Sequence, residues 1–84
     1  MPEIQAEAYF ILGRNHHVRN EFQGALPFYV QACKLWPHFA LAQFRLAQVL
    51  LNMLRRLLEL LVQIFDELGL HIGTGGHERF TGSS

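Results

Sequence analysis

Five histidines, a lone cysteine and two well-spaced arginines are the side chains of this 84-residue chain best equipped to bind or react. A shared metal ion needs ligands on one side of a helix, three or four residues apart. His16 and His17 are neighbours that point about 100° apart, so they do not converge on one ion. His71 and His77 sit in a Gly-rich segment with no Cys or acid at ligand spacing. Cys33 lies beside Lys34, which would favour a thiolate, but on the inner side of a helix it reads as a small buried thiol. Gly73-Thr74-Gly75-Gly76 has neither the Lys-Ser/Thr nor the preceding strand of a phosphate-binding loop. Arg14 and Arg45 remain. Each guanidinium can hold a carboxylate through two parallel hydrogen bonds, so an acidic peptide is the ligand they suit. The expectation is a chain with no catalytic residues, no metal and no cofactor.

Bulk properties narrow the partners. Net charge is zero and the pI is about 7.0, so no field draws the chain to nucleic acid or to an anionic membrane. A single cysteine allows no intrachain disulfide and fits a reducing, intracellular compartment. Residues 1–7 carry acids and no apolar run, unlike a secretory signal. The apolar stretch from Leu46 to Phe65 is interrupted by Arg55, Arg56 and Glu59, which argues against a membrane span. A chain of this length buries only a modest core.

The elements that would position these groups are helical throughout. Three-and-four spacing prevails from Glu3 to Leu70, and no stretch alternates as a half-buried strand must. A first helix over residues 3–18 places Ala8, Tyr9, Ile11 and Leu12 on the buried side, with Gly13 admitting a neighbouring helix. Arg19-Asn20-Glu21 supplies the turn, and Asn20 is the expected N-cap. The second helix, about 21–35, carries Phe22, Ala25, Leu26, Tyr29 and Ala32 on one side. Pro27 lies inside it, so the helix either bends between Gly24 and Pro27 or starts late. Pro37 separates it from a third helix that meets no Gly, Pro or Asn-led turn between Met53 and Arg56. That helix is expected to run on towards Leu68, about 30 residues and roughly 45 Å. Three segments follow: 1–36, a helix-turn-helix; 37–69, a partial second unit continuing as a long apolar helix; and 70–84, a flexible Gly- and Ser-rich tail.

Eight positions in the first two helices carry a recognisable spacing: Tyr9, Leu12, Gly13 and His16, then Ala25, Tyr29, Ala32 and Pro37. The pattern resembles a tetratricopeptide repeat, with His16 where an aromatic is usual. Packing within the repeat would rest on Tyr9, Leu12, Gly13, Ala25, Tyr29, Ala32 and Pro37. One period of about 34 residues further on, Leu46-Ala47 stands where Leu12-Gly13 stood. The register then fails, since Glu59, Gln63 and Asp66 occupy the places of Ala25, Tyr29 and Ala32. The run Ala6-Glu7, Phe10, Leu12, Arg14, His17-Val18, Ala25, Tyr29, Gln31-Ala32, Phe39, Leu41, Phe44, Leu46 and Gln48 further resembles the family of large tetratricopeptide scaffold subunits of the polymerase-associated-factor complex. The likeness covers about Ala6 to Leu50. It implies an α-solenoid in the nucleus that organises other subunits on RNA polymerase II and supports histone modification. It brings no catalytic residues.

Beyond Leu50 the surface itself is the message. Asn52, Arg55, Arg56, Glu59, Gln63, Asp66 and Glu67 form one narrow polar stripe, and the remaining circumference is apolar. An apolar face so wide is an association site, and Phe44, Leu50, Leu54, Leu57, Leu61 and Phe65 would anchor a protein partner or a second copy. The function expected is a non-catalytic interaction or scaffold element in transcription elongation. Two alternatives stand beside it: a truncated or divergent repeat fragment with no independent function, and an amphipathic helix lying on a membrane surface. Mixed charge in the polar stripe weighs against the second, because interfacial helices concentrate Lys and Arg there.

Overall fold

The computed structural model describes residues 1–70. All regular structure among them is α-helical, in the order α1 (Pro2–His17), α2 (Phe22–Leu35) and α3 (Ala40–Glu67). The expected all-α architecture, a helical hairpin followed by a long third helix, is what forms. Residues 71–84, including most of the expected tail, His71, His77 and the Gly73–Gly76 run, lie outside the described residues. The chain divides into two compact units, Met1–Leu54 and Arg55–Ser84, with the boundary inside α3.

In the first unit, α1 opens with Pro2 in its first turn, where a missing N–H costs nothing, and Glu3 there suits the positive end of the helix dipole. Its end is set by Asn20, which adopts φ 61°. The Glu21 N–H donates to the His16 carbonyl at 2.9 Å and the Asn20 N–H to the His17 carbonyl at 2.9 Å. This pair of bonds, around a left-handed residue, is a Schellman ending. Asn20 therefore terminates α1, where an N-cap for α2 had been expected. Glu21 occupies the N-cap of α2 instead, without a side-chain bond to the backbone. The reason is geometric: Asn tolerates the left-handed region better than other side chains, and the tight turn needs one residue there.

Pro27 stays within α2, which begins at Phe22, so the helix does not start late. The donor lost at Pro27 would have served the Gln23 carbonyl. Gln23 and Pro27 are both exposed, on the side of α2 where solvent can serve a carbonyl left without its helical donor. Trp36 leaves helical geometry at φ −138°, ψ 86°, as the residue before a proline tends to do. The Phe39 N–H donates to the Trp36 carbonyl at 3.0 Å, and the Gln43 side-chain amide donates to the Pro37 carbonyl. Together these bonds fix the entry to α3.

The core of this unit is built from Ala6 and Phe10 of α1, Phe22, Ala25, Tyr29 and Ala32 of α2, and Ala42 and Val49 of α3. Phe10 joins the three parts, its ring 5.6 Å from Tyr29 and 5.3 Å from Phe39. The buried line of α1 is Ala6, Phe10 and Gly13; Ala8, Ile11 and Leu12, expected inside, are exposed, and Tyr9 is half-buried. Both sets satisfy helical spacing. Close approach decides between them, because only the line with Ala and Gly lets α2 come near. A Cβ on Gly13 would stand 2.7 Å from the Tyr29 ring, inside any real contact distance. Starting at Phe39, just before α3, the inward line continues along the helix through Ala42, Leu46, Val49 and Met53, again at three-and-four spacing.

The second unit contains the end of α3, which continues unbroken through Met53 to Arg56 and totals 28 residues. Gly69 adopts φ 78°, the Leu70 N–H donates to the Phe65 carbonyl at 2.7 Å, and the Gly69 N–H to the Asp66 carbonyl at 3.1 Å. A second Schellman ending thus closes α3.

Candidate interaction surface

Polar side chains gather where the end of α1 meets α2. His16 occupies the position expected for an aromatic and packs as one: its ring stacks on Phe28 with centroids 5.5 Å apart and planes 12° apart. Its Nδ1 lies 2.8 Å from Glu21 Oε1, and Arg19 sits 3.7 Å from the same oxygen. Gly24 makes room for that ring, since a Cβ there would lie 2.8 Å from His16 Nδ1. Sequence reasoning gave Gly24 only as a place for a bend and passed over Phe28. The signal available was the one read correctly at Gly13, a helical glycine opposite an aromatic ring.

His17 points elsewhere and meets α2 at a different place. Its Nδ1 is 3.1 Å from the Tyr29 hydroxyl, and its ring meets Phe22 and Tyr29 edge-on at 5.7 and 5.8 Å. Burial lowers its pKa below the ordinary histidine value, and the Arg45 charge lowers it further. Burial also raises the Tyr29 pKa, partly offset by Arg45 and Arg14. With imidazole neutral and phenol protonated, the tautomer sets the direction: the Tyr29 hydroxyl donates to a bare His17 Nδ1, or the Nδ1–H donates to the hydroxyl oxygen.

Arg14 and Arg45, named from sequence as contacts for an acidic peptide, are thus both close enough to act on the Tyr29 hydroxyl. Arg14 is exposed and Arg45 half-buried. The Arg45 Nε is buried and has no hydrogen-bond partner among the described residues. The two neighbouring histidines engage different partners, and the described residues contain no group of three His, Cys, Asp or Glu that could hold a metal. Cys33 is half-buried, and burial pushes its thiol pKa up, away from a reactive thiolate.

Of the residues assigned to repeat packing, Gly13, Ala25, Tyr29 and Ala32 are buried, Tyr9 is half-buried, and Leu12 and Pro37 are exposed. Of those assigned to the partner-binding face, Phe44, Leu50 and Leu54 are exposed in the first unit, and Leu57 and Leu61 in the second, where Phe65 is half-buried. Leu57 exposes 62% of its surface and Leu60 53%, values ordinary for a lysine and costly for leucine. No helix among the described residues is long and apolar enough to cross a membrane. No family model, curated protein or solved structure matches the chain.

Proposed function

We propose that this chain is a non-catalytic protein-interaction element whose working surface is the Leu-rich end of α3. The observation that carries the reading is the exposure of Leu57, Leu58, Leu60, Leu61, Val62 and Ile64 along one short helical segment. Burying a leucine side chain contributes about 1.5–3 kcal/mol, so covering four of these supplies about 6–12 kcal/mol, the same order as the freedom lost on association. The resemblance of residues 6–50 to the polymerase-associated-factor scaffold family supports a more particular role, as a scaffold segment in RNA polymerase II elongation and histone modification in the nucleus.

Light scattering and circular dichroism on the intact chain test the general reading. Association that disappears in Leu57→Asp/Leu61→Asp supports it, and a helical monomer that melts cooperatively overturns it. Co-precipitation of a tagged chain with chromatin-bound RNA polymerase II tests the particular role; equal recovery of that double variant sinks it.

A second reading concerns the arginines. Arg45 and Arg14, whose charges both act on Tyr29, form one positive region suited to an acidic peptide. Titration with an acidic peptide reads it out, and an affinity unchanged by Arg45→Ala removes it.

A further inference from the structure

His17 stands where three helices bring ionisable groups together. The Tyr29 ring crosses α1 at Gly13, where its Cδ1 and Cε1 leave no room for a Cβ, and its hydroxyl reaches His17 one turn further along. Arg14 follows Gly13 on α1, about one turn before His17, and Arg45 enters from α3. The charged and titratable groups around His17 are therefore Arg14 on its own helix, the Tyr29 phenol on α2 and the Arg45 guanidinium on α3. Glu21, the acid nearest in sequence, is turned to His16 and Arg19. Among the described residues neither Arg14 nor Arg45 is in an ion pair. A positive region without a carboxylate of its own favours one from outside, and an imidazole beside it feels whichever charge is present.

The proton on His17 is the point of coupling. Imidazolium beside a bare Arg45 is a pair of like charges. With a carboxylate held by the guanidinium groups, the same imidazolium has an opposite charge close by. An anion at Arg14 and Arg45 therefore raises the affinity of His17 for a proton, and by linkage a proton on His17 raises the affinity for the anion by the same factor. The charged ring also keeps its place in the fold. Both of its nitrogens then donate, and the Tyr29 hydroxyl oxygen, buried and out of reach of a ligand, accepts from Nδ1–H. His16 is placed differently: its ring is stacked on Phe28, and its Nδ1 already has the Glu21 carboxylate at 2.8 Å.

Resting on the acidic-peptide reading of Arg14 and Arg45, we propose that this site takes up a carboxylate together with a proton on His17, so that an acidic peptide is held more tightly as pH falls through the histidine range. The imidazolium supplies a third cation where two already converge, and Tyr29 holds its ring in position.

The experiment uses the full chain and a pentaaspartate peptide, whose side chains remain largely ionised at about pH 5.5. Binding is expected to be several-fold to about tenfold tighter at about pH 5.5 than at about pH 7.5, tenfold corresponding to a His17 pKa about one unit higher in the complex. NMR of the imidazole Cε1–H on the unaltered chain reads this directly: the His17 titration is expected to move to higher pH on saturation with peptide. His17→Gln, whose amide can still bond the Tyr29 hydroxyl, is expected to bind at the higher pH and to lose most of the pH dependence, and His16→Gln to keep it. A His17 titration unmoved by saturating peptide overturns the proposal, and so does an equal pH dependence in His17→Gln. In either case weaker binding by Arg45→Ala leaves the acidic-peptide reading standing. No binding at either pH ends both.

Discussion

Gly13 illustrates how one missing atom organises the hairpin. The ring that a Cβ would strike belongs to Tyr29, which is fully buried and has no room to retreat. Gly13→Ala gains helix propensity of about 1 kcal/mol but forces the helices apart, an overpacking cost of about 1–3 kcal/mol. A lower melting temperature is expected, and a raised one would mean that the close approach is dispensable. His17 carries a pH dependence. Its folded pKa is depressed, so the unfolded chain binds the proton more readily. The stability from its neutral form is complete above the ordinary value of about 6.5 and is lost as pH falls through the lower folded pKa. Melting temperature should fall on acidification across this range, and His17→Phe should remove that part of the slope. Gly13 was legible in the sequence because its spacing and its lack of a side chain point to one role. His17 was not: its partners are a tyrosine twelve residues away and an arginine on α3, and helical spacing says nothing of either.

The helices themselves were easier to foresee than their faces or ends. Their number, their order and the continuity of α3 follow from apolar spacing and from the absence of breakers between Met53 and Arg56. The buried side of α1 was misjudged because Ile11 and Leu12 are more apolar than Ala6 and Gly13, yet packing two helices closely rewards small residues over apolar ones. Asn20 was misplaced by function rather than by position, since Asn suits both a helix start and a left-handed ending. Pro27 tests how far α2 depends on its surroundings. Its helix persists at a cost on the order of 3 kcal/mol for an interior proline, which tertiary packing of Ala25, Tyr29 and Ala32 offsets. Pro27→Ala should raise stability by about 1–3 kcal/mol, seen as a higher denaturant midpoint with an unchanged slope. An unchanged midpoint would show that the lost donor was already compensated.

Over the molecule as a whole, packing is unevenly distributed. The fully buried residues, Tyr29 and Val49 the largest of them, all belong to Met1–Leu54, and residues 55–70 contain none. A short helix without tertiary support is marginal in water, since nucleation is costly and propagation weak. Hydrogen exchange should therefore divide the chain. Amides of Ala42 to Val49 should be protected, while those of Leu57 to Ile64 should exchange many times faster at dilution and slow as concentration rises. Concentration-independent exchange across Leu57 to Ile64 would count against association through this segment.

The exposed leucines also bear on how many copies of the protein a cell can keep. A newly made chain displays Leu57, Leu58, Leu60 and Leu61 before anything covers them. Chaperones and proteases bind apolar segments of this kind, and degradation follows the population left open. Copies that find their complement are withdrawn from that pool by mass action. Surplus copies are not, so the same leucines that promote assembly would also set a ceiling on the amount of unassembled protein.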